Sequence, residues 1–167
     1  MSVSEYSSGP VEPDEILIRI IVAPQHINPK KKQPKAGALA DAERGGLSIF
    51  RATQANNEDI RKVAQGLVER ARVNNGEKAG VFGVIQMRCQ IIRECRAQGE
   101  SAPAYGVYDT ALQDLRAHSE AFQRVFGVEK DLMEERRAIL FSAVQSEFVS
   151  VHDFRGGFLA DLAPKVD

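Results

Sequence analysis

The chain has 167 residues, 43% of them hydrophobic and 27% charged, with a net charge of −1. That size suits one domain with a sizeable core, and the composition excludes a collagen-like, disulfide-scaffold or wholly disordered protein. No run approaches the roughly 18 apolar residues of a membrane span, and the N-terminus lacks the basic and apolar regions of a signal peptide, so the cytoplasm is the expected compartment.

Residues 1–13 are rich in Ser, Gly, Pro and Glu and read as a disordered acidic lead. Residues 14–163 follow as a single globular domain, with 164–167 as a tail. Glu15-Ile-Leu-Ile-Arg-Ile-Ile-Val22 is nearly uninterrupted between Pro13 and Pro24, which predicts a strand buried on both faces apart from Arg19. Residues 23–46 hold three prolines and four lysines, a composition against regular structure before Lys35, although Ala36–Glu43 suits a short helical turn. A connection this long without firm secondary structure is often functional. Leu47-Ser-Ile-Phe-Arg-Ala52 alternates as a second strand.

Asn56-Asn57-Glu58-Asp59 opens a helix, with Asn as N-cap and acids at the positive end of the dipole. Ile60, Val63, Ala64, Leu67, Val68 and Ala71 then recur at helical spacing until Asn74-Asn75-Gly76 ends it. From Gly80 to Arg96 two periods compete. Ile85, Met87, Cys89 and Ile91 alternate, whereas Val84, Met87, Ile91, Ile92 and Cys95 share a helical face; length and the Gly99 stop predict a helix over 83–97. Ala104–Asp109 reads as a third strand, Ala117–Phe126 as a short helix and Glu129–Phe148 as a long one with Leu132, Ile139, Leu140, Ala143 and Val144 buried. Residues 149–167 add a short strand or turn around Phe154 and a loose tail. The layout predicts an α/β or α+β fold, a small mixed sheet of about three to four strands packed with four helices.

Charge is unevenly spread. Residues 1–15 carry four acids and no base, and 129–167 carry eight acids against five bases, leaving 17 bases and 11 acids between them. That pattern fits a solubilising tail and a charged terminal helix, or a basic surface for an anionic partner. Cys89 and Cys95, six residues apart with no His nearby, are expected to be reduced, half-buried thiols and not a disulfide or zinc site. No GxGxxG, GxxxxGK[ST] or GxSxG motif occurs, and no metal or cofactor is expected.

The candidate catalytic residues are His26, directly after the first strand and just before Lys30-Lys-Lys32, and His118, after the third strand. Imidazole beside ammonium groups suits phosphodiester chemistry or phosphate binding. Lys31, Lys35 and Arg51 are the candidate anion binders, with Ser48, Asp109 and Ser119 in support. If Ile49 is in the core, Arg51 sits at its boundary and needs an anionic partner, either a protein carboxylate or a ligand phosphate. Parallel strands would bring His26 and His118 to one sheet edge.

His26 with its lysine-rich loop, Gly37-Ala-Leu39, Gly46-Leu-Ser-Ile-Phe-Arg51 and the late His118-Ser119 together resemble a group of small bacterial proteins. Those share a His, a Lys-containing loop, an L-S-x-F-R strand and a late His before a small residue. The resemblance spans residues 16–122 and implies a site but no particular reaction. Two readings follow. One is an interaction module that meets a protein partner through its long helix and basic loop, which the plain amphipathic helices favour. The other is an enzyme acting on a nucleotide or RNA phosphate through His26, Lys31, Arg51 and His118.

Overall fold

Ile16–Ala23 forms β1, the strand on which the rest is built, and its near-continuous apolar run is buried on both faces. The computed structural model describes residues 4–125 and 128–165. It places β1 inside a six-stranded sheet in which β4 (Leu47–Arg51) lies on one side and β5 (Gly80–Arg88) on the other. Beyond β4 come β7 (His118–Gln123) and β6 (Tyr105–Asp109), and beyond β5 comes β8 (Phe148–Ser150). A separate hairpin joins β2 (Ile27–Asn28) to β3 (Gln33–Pro34) in the proline- and lysine-rich connection.

Every pairing in the large sheet is antiparallel, which corrects the expectation of a small mixed sheet of three to four strands. Two segments account for the difference. Residues 83–88, expected to begin a helix, belong to β5, and only α2 (Cys89–Glu94) is helical there. The long ladder from Ile16↔Arg88 to Ala23↔Gly80 holds that segment extended. A short helix is expected over 117–126, of which Phe126 lies outside the described residues; the segment contains β7, in which Ser119, Ala121 and Gln123 are buried while His118, Glu120 and Phe122 are half-buried. Pairing on both edges, with β4 and with β6, outweighs the helix preference of Ala, Glu and Gln.

Helices cover both faces. Residues whose side chains share a face with Ile18, Ile20 and Phe50 pack against α1 (Asn57–Asn75) and against Phe154 and Leu159 from the C-terminal segment. The opposite face, with Leu17, Ile21, Ile49 and Tyr105, packs against the 3-10 segment Ala36–Glu43, α2 and α3 (Lys130–Val144). Helix α1 begins where the sequence indicates, with the Asn56 side chain accepting from the Asp59 N–H, and ends at Gly76 in the left-handed region. In α3, Leu140 and Val144 are buried as expected, but Ile139 and Ala143 are exposed.

The N-terminal lead does not stand apart over its described part. Ser4 Oγ donates to the Ala111 carbonyl, Ser7 Oγ to Asp109 at 2.8 Å, and Val11 is buried in the core. At the other end, Lys165 pairs with Glu77 at 2.7 Å. Both cysteines are free and buried, and burial pushes the Cys95 thiol up to about 11. Among the described residues no helix is long and apolar enough to cross a membrane.

Candidate active site

Strands β1 and β4 pair only at Leu17↔Arg51 and Ile18↔Phe50, then diverge. Two side chains occupy the opening. Arg19 Nη1 donates to the Ser48 carbonyl at 3.2 Å, replacing a ladder donor that β1 no longer supplies. His26, folded back by the turn at Pro24, treats Val22 as a strand partner would. Its N–H donates to the Val22 carbonyl at 3.0 Å, and its Nδ1 accepts the Val22 N–H at 3.0 Å. With Nδ1 used as acceptor, the proton of the neutral ring is on Nε2. Burial pushes the His26 imidazole down to about 4; the Arg19 and Lys35 charges add to this and Asp41 opposes it. At neutral pH the ring is therefore an uncharged donor.

Arg19 is 5% exposed, and within the described residues its only carboxylate partner is Asp41 at 2.7 Å, a side chain half open to solvent. Among the described residues its buried Nε has no hydrogen-bond partner. Burial draws the guanidinium below its ordinary value, against the pull of Asp41. A buried cation that lines a cleft and whose carboxylate partner is half solvated can take a further anion.

Ser48 connects this pair to His118. His118 lies across from Phe50 in the β4–β7 ladder, so Ser48, Phe50 and His118 share a face, the one that carries α1. Ser48 Oγ is 2.7 Å from His118 Nε2. His118 Nδ1 is 3.2 Å from the Thr110 carbonyl and 2.9 Å from Thr110 Oγ1. A carbonyl can only accept, so in the neutral ring Nδ1 carries the proton and Nε2 has its lone pair free for the serine hydroxyl. Phe50 meets the imidazole edge-on at 6.0 Å between centroids and fixes its plane. This is the order nucleophile, base, orienter on which hydroxyl activation depends.

Arg19, His26 and Ser48 line one cleft of about 270 Å³, walled by Phe50 and by Val63, Leu67 and Arg70 of α1.

No family model, curated protein or solved structure matches the chain.

The remaining sequence candidates separate from this cleft. Arg51 is spent internally. Its Nε and Nη2 grip Glu15 at 2.7 and 2.5 Å, Nη1 reaches Asp109 at 3.0 Å, and the Gly9 and Pro10 carbonyls take the other protons. The anionic partner expected at the core boundary is thus the protein's own carboxylates. Asp109 belongs to that clamp and also caps the Ala111 N–H. Ser119 is fully buried and alternates away from His118, facing the Ile49 side of the sheet. Lys31 is exposed at the β2–β3 turn, its N–H on Asn28 Oδ1. Lys35 is also exposed; its backbone N–H donates to the His26 carbonyl at 3.0 Å, and its side chain acts on the cleft through its charge. His26 lines the cleft and His118 does not: His118 meets it through its bond to Ser48, and the strands concerned pair antiparallel, so the expected parallel edge that would gather both histidines is absent among the described residues. Arg19, Asp41, Thr110 and Phe50 were missed as site residues. The one available signal was Arg19, a charge inside an otherwise apolar strand. Among the described residues, no group of three or more His, Cys, Asp or Glu side chains could hold a metal ion.

Proposed function

We propose that the chain is an enzyme acting on a phosphate ester of the nucleotide or RNA type, with Ser48 as nucleophile and His118 as its base. The observation that carries this reading is the hydrogen-bonded series Ser48–His118–Thr110 at the wall of a cleft that also contains buried Arg19. His118 Nε2 takes the serine proton as Oγ attacks phosphorus. The leaving alcohol takes that proton, and water then releases phosphate from Ser48. Arg19 and the Nε2–H of His26 face the negative charge on the transferring group, one as a cation and the other as a neutral donor.

The other reading is an interaction module docked through α3 and the basic loop. Of the α3 stripe, Leu140 and Val144 lie in the core, whereas Ile139 and Ala143 stay exposed and are what that helix could offer a partner. Hydrolysis of p-nitrophenyl and bis-p-nitrophenyl phosphate by the full chain separates the two. Turnover should fall about 10²–10⁴-fold in Ser48→Ala and His118→Ala with the melting temperature nearly unchanged. Full activity in both variants, or no turnover and no phosphate binding by the unaltered protein, would leave the interaction module as the reading.

A further inference from the structure

A second, larger groove of about 550 Å³ adjoins the cleft and shares Val63 and Arg70 with it. One wall is the α1 face that carries Lys62, Val63, Gly66 and Arg70, and the other is the turn with Leu112 and Leu115. Gly66 lies in the middle of this helix, where glycine is the poorest choice after proline. Packing does not require it. A side chain built there would meet only the tip of Arg70, at 3.9 Å, an ordinary contact with a flexible group. What a side chain at position 66 would fill is the groove itself. Leu112, across from it, is a leucine more than half exposed, in a chain whose other leucines are mostly covered.

We infer that this groove is the base-binding subsite of the phosphate-ester cleft and that Gly66 sets its width, so the ligand is a nucleotide whose planar base lies between Leu112, Leu115 and α1. This rests on the phosphate-ester reading of the Arg19–Ser48 cleft. Val63, Leu112 and Leu115 suit the faces of a base, and Asp59, Gln113 and Asp114, which also line the groove, offer partners for its polar edge. Arg70, common to both spaces, spans the step from base to phosphate.

Calorimetric titration of the full chain with the common nucleoside 5′-monophosphates and with inorganic phosphate tests this. At least one nucleotide should bind about tenfold or more tighter than phosphate. Gly66→Leu should abolish that advantage while leaving phosphate affinity within about twofold, and Gly66→Ala should raise the melting temperature by removing a helix-interior glycine. A Gly66→Leu protein that keeps its fold and its nucleotide preference overturns the subsite but leaves the cleft reading intact. Absence of binding by phosphate and nucleotides alike overturns the cleft reading and this inference with it.

Discussion

Ser48 Oγ and His118 Nε2 lie 2.7 Å apart although 70 residues separate them. The β4–β7 register makes this contact. Pairing Phe50 with His118 sets Ser48 diagonally across from the imidazole on the same face, within reach of a ring. The Thr110 carbonyl decides which nitrogen faces the serine. The tautomer should therefore be a property of the fold and not of Ser48. In nitrogen-detected NMR under alkaline conditions, His118 should show a protonated Nδ1 in the wild type and in Ser48→Ala alike. A ring protonated on Nε2 in either protein would remove the base from the proposed pair.

Arg51 should behave as a structural residue. Arg51→Met leaves Asp109, whose side chain is 4% exposed, without its cation and should cost about 3–5 kcal/mol. Residues 4–13 should lose amide protection at the same time, since Gly9 and Pro10 are held through that guanidinium. Lys at this position should not restore stability, because an ammonium cannot grip Glu15 with two parallel donors. Chemical denaturation and hydrogen exchange check both expectations. Burial opposes ionisation of Glu15, yet the hydrogen bonds from Arg51 and the Glu12 backbone outweigh it and hold the carboxyl below its usual value. This pair's contribution is therefore fully present above the ordinary Glu range and is lost as pH falls through the lowered value.

The parts of the fold legible in the sequence are those where local and tertiary preferences agree. Helix α1 has its cap, its period and its stop residue in order, and β1 has an apolar run too β-branched for much else. The residues of β7 favour a helix locally and become a strand because two ladders claim them. Strand direction has no local signature at all, so the expected parallel edge was an assumption that the antiparallel register replaced. Within the site, the histidines and Ser48 were identifiable by residue type and position. Arg19 was visible only as an interruption, because its role comes from the divergence of β1 and β4, a feature that belongs to neither strand alone.

Ile18 and Ile20, each 1% exposed, pack from the middle of the sheet onto α1. A carboxylate placed there loses the apolar packing against α1, and its burial costs several kcal/mol or more, comparable to the whole stability of a domain. Ile18→Asp and Ile20→Asp should both unfold the protein in circular dichroism. Retention of the wild-type thermal midpoint by either would contradict the central position of β1.

Replacing Lys30, Lys31, Lys32 and Lys35 together by Ala should hardly change the melting temperature, since all four side chains are exposed and none has a carboxylate within ion-pair distance among the described residues. Phosphate or nucleotide affinity should fall modestly and depend less steeply on salt, because these charges act on the cleft at a distance. Affinity and salt slope both unchanged would show that the lysine loop takes no part in ligand capture.

His26 gives the cleft a pH signature whose sign follows from its environment. The imidazole has an ordinary value of 6.5 and is pushed down to about 4 in the folded protein, by burial first and then by Arg19. Between those two values the unfolded chain binds a proton that the folded chain refuses. Stability should therefore be complete above about pH 6.5 and decline as pH falls towards 4, by at most about 3 kcal/mol. Asn at this position can place its side-chain oxygen near the site of Nδ1, keep the bond from the Val22 N–H, and carry no titrating group. His26→Asn should thus fold at neutral pH and show a flatter stability profile across this window, measured by urea denaturation at closely spaced pH values. An equally steep decline in the variant would assign the acid sensitivity to other groups. It would also mean that His26 is not held neutral beside Arg19, and the uncharged donor assigned to the cleft would be lost with it.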